Sequence, residues 1–245
     1  MTDNNVILHI PHSSTLIPSG CQFLISKSDL TSEIDKMTDH KTDTLFMLAG
    51  AKRIVFPVSR LVVDPERFIE DPMESVGMGV VYTQTSDGRP LRYISDTDRE
   101  EFINTYYHSH HAELTQMVDA CLVQHGCCLI VDCHSFSAHP LPYEKDINRP
   151  DICIGTCVFH TSNELVNALL ETFSSMGYKV AIDSPYSGTI VPLKHYHKDP
   201  RVSSVMIEVN RRLYSNAADY LSLQKQLSDV MSQLSIISKK ALWAK

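Results

Sequence analysis

Residues 127–136 read CCLIVDCHSF, an apolar run that leads directly into Asp132 and His134. A short apolar run of this kind is typical of a β-strand that is buried on both faces. Residues 6–14, VILHIPHSS, follow the same plan, because a second apolar run leads into His12. The two stretches therefore predict buried strands that each place a histidine where the strand ends.

Further apolar runs of strand length alternate with segments that have the 3.6-residue period of amphipathic helices. This alternation indicates an α/β sheet covered by helices on both faces, in which ligands bind at the carboxyl ends of strands. No repeat or Gly/Ser linker divides the chain, so we expect one domain over residues 1–245. The remaining predicted strands are residues 54–58, 61–63, 152–158 and 203–209, and the predicted helices include residues 102–121, 165–173 and 223–237.

The 245 residues carry a formal net charge of −7, and Lys and Arg form no cluster. A nucleic-acid surface needs concentrated positive charge, so we do not expect this class of partner. No apolar run approaches the roughly 20 residues that span a bilayer, and the first residues lack the features of a secretory signal. The seven cysteines include the adjacent Cys127 and Cys128, which suits reduced thiols better than a disulfide framework. We therefore expect a cytoplasmic protein without a membrane or nucleic-acid partner.

His12 and His134 are candidate metal ligands, because both follow predicted buried strands. Asp132 lies two residues before His134, so in an extended segment the two side chains project to the same side. A carboxylate beside a histidine fixes the tautomer whose other ring nitrogen binds a metal. The alternative is that each histidine caps a loop and that Asp132 is an N-cap. The occurrence of two such histidines favours the metal site.

A catalytic zinc usually has three protein ligands, and residues 38–43, TDHKTD, contain candidates for the third. Asp39 and Asp43 are four residues apart, so a helix would place both on one face. Equally, both could be acids favoured by the positive end of a helix dipole. His110, in a predicted helix, is a weaker candidate to face the same site.

Charged residues also interrupt or end two other apolar segments. Asp64, Glu66 and Arg67 follow an apolar run, where a surface salt bridge is the common outcome but unpaired charge would be costly. Arg67 has the planar fork that grips a carboxylate or an amide oxygen. Glu208 interrupts an otherwise apolar strand, and Asn210 points the same way. A carboxylate there is either paired or functional, and near a metal it would be a general base.

Taken together, these segments resemble the N-formylglutamate amidohydrolase family, in motifs that follow the family's order. The resemblance implies a branch of the zinc-dependent exopeptidase fold, with a mixed, mainly parallel sheet between helical layers. Related branches carry Asn-Arg where this chain has Glu66-Arg67, which is one departure. The motifs are residues 10–18, IPHSSTLIP; 38–46, TDHKTDTLF; 60–67, RLVVDPER; 132–136, DCHSF; and 207–214, IEVNRRLY.

The resemblance also implies a metal centre. His12, Asp39 and His134 would bind one divalent metal ion, for which zinc is the expected choice. Asp39 is the first choice for the third ligand, with Asp43 as the alternative. Asp132 would hold the ligands in position, and so would Asp43 where Asp39 is the third ligand.

The reaction that the resemblance implies is hydrolysis of N-formyl-L-glutamate to formate and L-glutamate, the last step of one route of histidine degradation. Glu208 would accept a proton from water and later deliver it to the departing nitrogen, and Arg67 would hold the oxyanion or a carboxylate. A dianionic substrate needs more than one cation, because desolvating an unpaired carboxylate is costly. The further substrate-binding candidates are Arg60, Ser135, Asn210 and Arg211, and Arg89 and Arg92 are additional available cations.

Two other functions fit the same residues. One is a deacylase or carboxypeptidase-like hydrolase of another N-acyl amino acid, since substrate choice depends on loop geometry. The other is a protein that binds a metal or an amino acid without catalysis. The presence of both a potential base, Glu208, and a potential anion clamp, Arg67, argues against the second alternative. The expected partner of either enzyme is a small molecule.

Overall fold

The computed structural model describes residues 4–141 and 148–240. The predicted domain of residues 1–245 also includes residues 1–3, 142–147 and 241–245, which lie outside this described part. Strands within it form a six-stranded sheet. They are β1 Val6–Ile10, β2 Lys52–Val55, β3 Cys128–Phe136, β4 Ile152–Gly155, β5 Val180–Ile182 and β6 Val202–Asn210.

The sheet has the strand order β2-β1-β3-β6-β4-β5. Its neighbouring strands are parallel except for β4 and β6, which are antiparallel. The predicted mixed, mainly parallel sheet is therefore confirmed. Its long central strands β3 and β6 are buried almost throughout, as the apolar runs predicted.

Helices connect the strands and cover the sheet. A π-helical segment, Ile103–His108, joins α3 to α4, so the predicted helix of residues 102–121 is not regular. Among the described helices, none is both long and apolar enough to cross a lipid bilayer. The helices are α1 Lys27–Met37, α2 Thr42–Leu45, α3 Asp96–Phe102, α4 Ser109–His125, α5 Asn163–Ser175 and α6 Ala217–Lys240.

The alternation of side chains along β1 and β3 divides the core between the two faces of the sheet. Leu8 and Val131 pack in one cluster with Leu227 of α6 and with side chains of α5. Ile7 and Ile130 pack on the opposite face in a cluster with side chains of α4. Each of these side chains is fully buried, which contributes about 1.5–3 kcal/mol per side chain. Both faces of the central strands are therefore held by packing.

Residues 61–63 do not form the predicted strand. The backbone N–H of Val62 donates to the carbonyl of Ser59, as in a turn. The Arg92 guanidinium donates from Nη2 to the carbonyls of Leu61 and Val62, each at 2.8 Å. Because this cation satisfies the buried carbonyls, the segment needs no strand partner. The strands predicted at residues 54–58 and 152–158 end early, at Val55 and Gly155.

The carboxyl ends of β1, β3 and β6 lie side by side. Across β1 and β3 the register pairs His9 with Asp132, and across β3 and β6 it pairs His134 with Glu208. The turn after α1 reaches the same edge, because the backbone N–H of Asp39 donates to the backbone carbonyl of His12 at 2.9 Å. The topology thus gathers residues from distant parts of the sequence at one edge of the sheet.

Candidate active site

A cavity of about 200 Å³ opens at the carboxyl ends of the central strands. Most of the residues predicted from the sequence to form the site line this cavity. Asp43, Asp132 and Asn210 are not among the lining residues. The predicted residues that line it are His12, Asp39, Arg60, Arg67, His134, Ser135, Glu208 and Arg211.

His12, Asp39 and His134 form a compact group in the wall of the cavity. Their ligand atoms lie within 4.8 Å of one another, and all three residues are buried. Asp39 Oδ2 is 3.1 Å from His134 Nδ1 and 3.7 Å from His12 Nδ1. Zinc–ligand bonds of about 2.0–2.2 Å in a tetrahedron separate neighbouring ligand atoms by roughly 3.3 Å. The spacing and the donor types therefore fit a zinc site.

Both histidines are oriented by carboxylates on their far side. His12 Nε2 lies 2.8 Å from Asp64 Oδ1, and His134 Nε2 lies 3.1 Å from Asp132 Oδ1. An Nε2–H donated to the carboxylate leaves the lone pair on Nδ1, which is the tautomer that binds a metal. His12 Nδ1 is buried and has no hydrogen-bond partner among the described residues. This nitrogen therefore has a lone pair that suits a metal ion.

Asp39 lies in the turn between α1 and α2, because α1 ends at Met37 and α2 begins at Thr42. The backbone N–H of Ser135 donates to Asp39 Oδ2 at 3.2 Å. Burial alone would raise the pKa of Asp39, but the hydrogen bonds and charges of the two histidines hold that pKa well below its usual range. Asp39 is thus an ionised carboxylate that faces two imidazole nitrogens.

The expectation that Asp39 and Asp43 share a helical face is wrong. Asp39 precedes α2, and Lys41 between them has a left-handed backbone with φ of 64°. The two aspartates therefore do not share a helix. Asp43 lies in the first turn of α2, as the helix-dipole alternative predicted, and the structure does not bring it to the cavity.

Glu208 faces the same cavity from β6. Its side chain is 7% exposed, and Oε2 has no hydrogen-bond partner among the described residues. Burial raises the pKa of Glu208 to about 8, although the charge of His134 opposes this rise. A raised carboxyl pKa and a free oxygen are the properties of a group that can exchange protons near neutral pH.

Asp64 connects His12 to the arginines of the cavity. Arg60 donates to Asp64 Oδ2 from Nε at 3.2 Å and from Nη2 at 2.7 Å, and the Tyr82 hydroxyl donates to the same oxygen at 2.9 Å. Burial would raise the pKa of Asp64, but the charge of Arg60 outweighs it and keeps that pKa well below its usual range. Arg67 Nε lies 3.8 Å from Asp64 Oδ2, and it is buried without a hydrogen-bond partner among the described residues. Arg67 Nε is therefore available to donate a hydrogen bond, whereas Nε and Nη2 of Arg60 already donate to Asp64.

Two of the predicted substrate-binding residues have structural partners. Arg211 donates from Nη1 to the carbonyl of Thr38 and from Nη2 to that of Lys36, at 3.0 and 3.1 Å, so it caps the end of α1 while it lines the cavity. Asn210 is fully buried and donates to the carbonyl of Pro150 at 2.9 Å. The structure therefore does not bring Asn210 to the cavity, because its amide is used to hold a neighbouring loop.

The additional cations considered from the sequence do not face the cavity. Arg92 is buried against the backbone of Leu61 and Val62, and burial lowers its pKa to about 10. Arg89 is exposed and pairs with Asp87 at 3.0 Å. Both side chains therefore support local structure.

His9, Asp64 and Glu66 were not among the site residues predicted from the sequence. His9 is fully buried, with Nδ1 2.8 Å from Asp132 Oδ1 and Nε2 2.8 Å from His110 Nε2. Glu66 lines the cavity, and burial, with the charge of Asp132, raises its pKa well above the usual range. The available signal was the presence of polar residues inside or directly after apolar runs. Which partners they meet depends on strand register, which the sequence does not reveal.

Comparisons with known proteins agree with this architecture. A sequence model of the N-formylglutamate amidohydrolase family matches residues 4–215. The crystal structure of N-formylglutamate amidohydrolase from Ralstonia eutropha JMP134 is similar with a TM-score of 0.85 and 19% sequence identity, over 98% of this chain and 95% of that chain. A gene product of Agrobacterium tumefaciens is similar with a TM-score of 0.70 and 18% identity, over 94% of this chain and 92% of that chain. No curated protein sequence matches this chain significantly.

Proposed function

The chain belongs to the N-formylglutamate amidohydrolase family, and from this premise we propose that it hydrolyses N-formyl-L-glutamate to formate and L-glutamate. This reaction would place it at the last step of one route of histidine degradation. The proposal goes beyond the family assignment in three respects: the substrate, the use of a metal and the residues that act.

The observation that carries the proposal is the position of Glu208. Glu208 lines the cavity whose wall contains His12, Asp39 and His134, and its buried Oε2 has no hydrogen-bond partner among the described residues. A general base needs a free carboxylate oxygen within reach of the water that it activates. A binding protein without catalysis has no need of such a costly buried group.

His12, Asp39 and His134 would hold the metal, and zinc suits two imidazole nitrogens and one carboxylate oxygen. When bound, zinc supplies a Lewis acid that polarises a carbonyl oxygen and lowers the pKa of water from about 15.7 to about 7. Asp64 and Asp132 would keep both imidazoles in the required tautomer through their Nε2 atoms.

Glu208 would move the protons of the reaction. Its carboxylate takes a proton from water as the water oxygen forms a bond to the formyl carbon. The same carboxyl group then gives this proton to the glutamate nitrogen as the C–N bond breaks, so formate and the amine leave. Glu208 thus serves first as base and then as acid, which a pKa near neutrality allows.

Arg67 and Arg211 would hold the substrate carboxylates. Each keeps a buried Nε without a hydrogen-bond partner among the described residues, and both line the cavity. The guanidinium fork matches a carboxylate in two parallel hydrogen bonds. Arg60 would act indirectly, because its donors are directed to Asp64.

A larger acyl group is the specific alternative. A second cavity of about 230 Å³ shares Glu66 and Arg67 with the first and continues past Phe68 and Tyr107. This continuation offers apolar walls to an acyl chain longer than formyl. The alternative function is therefore a deacylase of other N-acyl amino acids.

The test is a comparison of substrates on the full chain loaded with Zn²⁺. We expect product release to be fastest from N-formyl-L-glutamate, slower from N-acetyl-L-glutamate and slowest from a glutamyl peptide. Faster hydrolysis of a long-chain N-acyl-L-glutamate would favour the deacylase. Release of no product from any of these compounds would contradict both enzymatic proposals.

A further inference from the structure

A second group of metal-ligating side chains lies beside the first in the described part of the chain. It consists of His9, Glu66 and Asp132, whose ligand atoms lie within 4.8 Å of one another. His9 Nδ1 is 2.8 Å from Asp132 Oδ1 and 3.3 Å from Glu66 Oε1. One imidazole nitrogen and two carboxylate oxygens suit divalent ions such as Zn²⁺ and Mn²⁺. We propose that these three residues form a second divalent-cation site next to the first.

Glu66 supplies an independent observation. Its Oε1 atom is shielded from solvent and has no hydrogen-bond partner among the described residues, although His9 Nδ1 is 3.3 Å away. A buried carboxylate oxygen without a donor is costly. A cation bound between His9, Glu66 and Asp132 would satisfy this oxygen.

His9 can present a lone pair to the cation without losing its other hydrogen bond. Its Nε2 lies 2.8 Å from His110 Nε2, a distance at which one of the two nitrogens donates and the other accepts. A single proton between the two Nε2 atoms can belong to His9, with His110 as acceptor. Nδ1 of His9 is then unprotonated and faces the two carboxylates, as required of a ligand.

Asp132 connects the two groups. Its Oδ1 is 3.1 Å from His134 Nε2 and 2.8 Å from His9 Nδ1. Glu66 lines the same cavity as the first group, so a cation held by Glu66 lies where it attracts a substrate carboxylate. The inference rests on the proposed function in one respect only, since it takes His12, Asp39 and His134 as the first metal site.

The test is the number of zinc ions that the full chain retains, measured by mass spectrometry after chelation, reloading with Zn²⁺ and gel filtration. Four proteins form a two-by-two design: wild type, His12→Asn, Glu66→Gln and the double variant. We expect about two, one, one and no ions per chain. Glu100→Gln, an exposed change of the same chemical type, is the control and should retain about two.

The outcomes separate the two proposals. One ion in both wild type and Glu66→Gln, with none in His12→Asn, would overturn the second site and leave the proposed function standing. No ion in wild type would overturn both. Because a variant can fail for reasons of folding, anomalous diffraction at the zinc edge from wild-type crystals is a second measurement. A peak between His9, Glu66 and Asp132 is expected, and its absence from zinc-loaded crystals would contradict the inference.

Discussion

Glu208 is a carboxyl group inside a sheet, and its Oε2 has no hydrogen-bond partner among the described residues. Burial of such a group costs stability, as its raised pKa reflects. Its neighbours along β6, Ile207 and Val209, are fully buried apolar residues of the core. The general-base role that we propose for Glu208 gives a reason for a group that weakens the fold at this position, since functional sites retain features that stability alone would remove.

Replacing Glu208 by Gln should slow hydrolysis and leave metal content unchanged. The amide keeps the shape of the side chain but cannot take a proton from water. Loss of a general base lowers kcat by about 10²–10⁴-fold, and we expect KM to change little. Steady-state kinetics and zinc analysis check this. Loss of zinc from this variant would make Glu208 a ligand, and near-normal turnover would place the base elsewhere.

The same substitution should stabilise the metal-free protein, and more so at high pH. The pKa of Glu208 is about 8 in the folded chain and about 4.3 when unfolded, so between these values the folded state retains a proton that the unfolded state releases. The contribution of Glu208 to stability therefore becomes more unfavourable as pH rises from 5 to 8. Gln does not titrate. The difference in free energy of unfolding between the variant and wild type should therefore grow from pH 5 to pH 8 by at least about 1 kcal/mol, or about 2–4 °C in Tm. Thermal unfolding in chelator at pH 5 and pH 8 measures this difference. A Tm difference between variant and wild type that is smaller at pH 8 than at pH 5 would refute the claim that Glu208 is a buried carboxylate without a compensating partner.

Replacing Arg67 by Lys should raise KM for N-formyl-L-glutamate. A point charge does not reproduce the planar fork of a guanidinium, so the bidentate contact is lost while the charge remains. We expect a loss of kcat/KM of about tenfold, which corresponds to about 1.4 kcal/mol. Arg89→Lys, at an exposed position away from the cavity, is the matched control. Equal kinetic constants for Arg67→Lys and wild type would exclude Arg67 from substrate binding.

At the residue scale, most of the site residues predicted from the sequence line the cavity, but the sequence did not predict the contacts between them. Histidines directly after apolar runs are visible in the sequence, and His12 and His134 do meet. Asn210 has the same strand phase as Glu208, yet its amide turns into a loop contact. Such choices depend on neighbours that are distant in sequence, so alternation alone does not decide them.

At the scale of elements, the end of α1 positions Asp39, the third residue of the proposed metal site. Asp39 follows directly after Thr38, whose carbonyl accepts a hydrogen bond from Arg211 at 3.0 Å. Arg211 lies immediately after β6, so it joins the end of α1 to the strand that carries Glu208. This link holds the two sides of the cavity at a fixed distance.

Replacing Arg211 by Gln should therefore weaken both the fold and metal binding. Hydrogen bonds from a charged donor to the final carbonyls of a helix contribute about 1–3 kcal/mol. We expect a loss of this size in urea unfolding and a several-fold rise in the Kd for Zn²⁺, because Asp39 is less well held. Arg212→Gln, which removes an exposed pair with Asp151, is the control and should leave the Kd unchanged. Equal zinc affinity in both variants would contradict the positioning role of Arg211.

Local spacing failed where tertiary contacts replace regular structure. Asp39 and Asp43 have helical spacing, but Lys41 adopts a left-handed backbone and the second helix starts after it. Residues 61–63 have strand composition, but the Arg92 guanidinium satisfies their carbonyls. The first departure is a left-handed residue and the second is a contact from a distant side chain, and a periodic pattern reveals neither.

At the scale of the whole molecule, the parallel sheet brings the site together. Strands β1, β3 and β6 are neighbours in space but are separated by long stretches of sequence. The sequence predicted the α/β class because alternating strands and helices leave few arrangements. It did not predict the strand order, which determines that His134 pairs with Glu208.

The most direct test of the account is formate release from N-formyl-L-glutamate by the chelator-treated full chain as Zn²⁺ is added back. We predict that the metal-free protein is inactive, that zinc restores formate release with an equal amount of L-glutamate, and that His12→Ala and His134→Ala remain inactive over the same titration. Full formate release by the metal-free protein, or recovery of both variants, would contradict the claim that this cavity is a zinc-dependent amidohydrolase site.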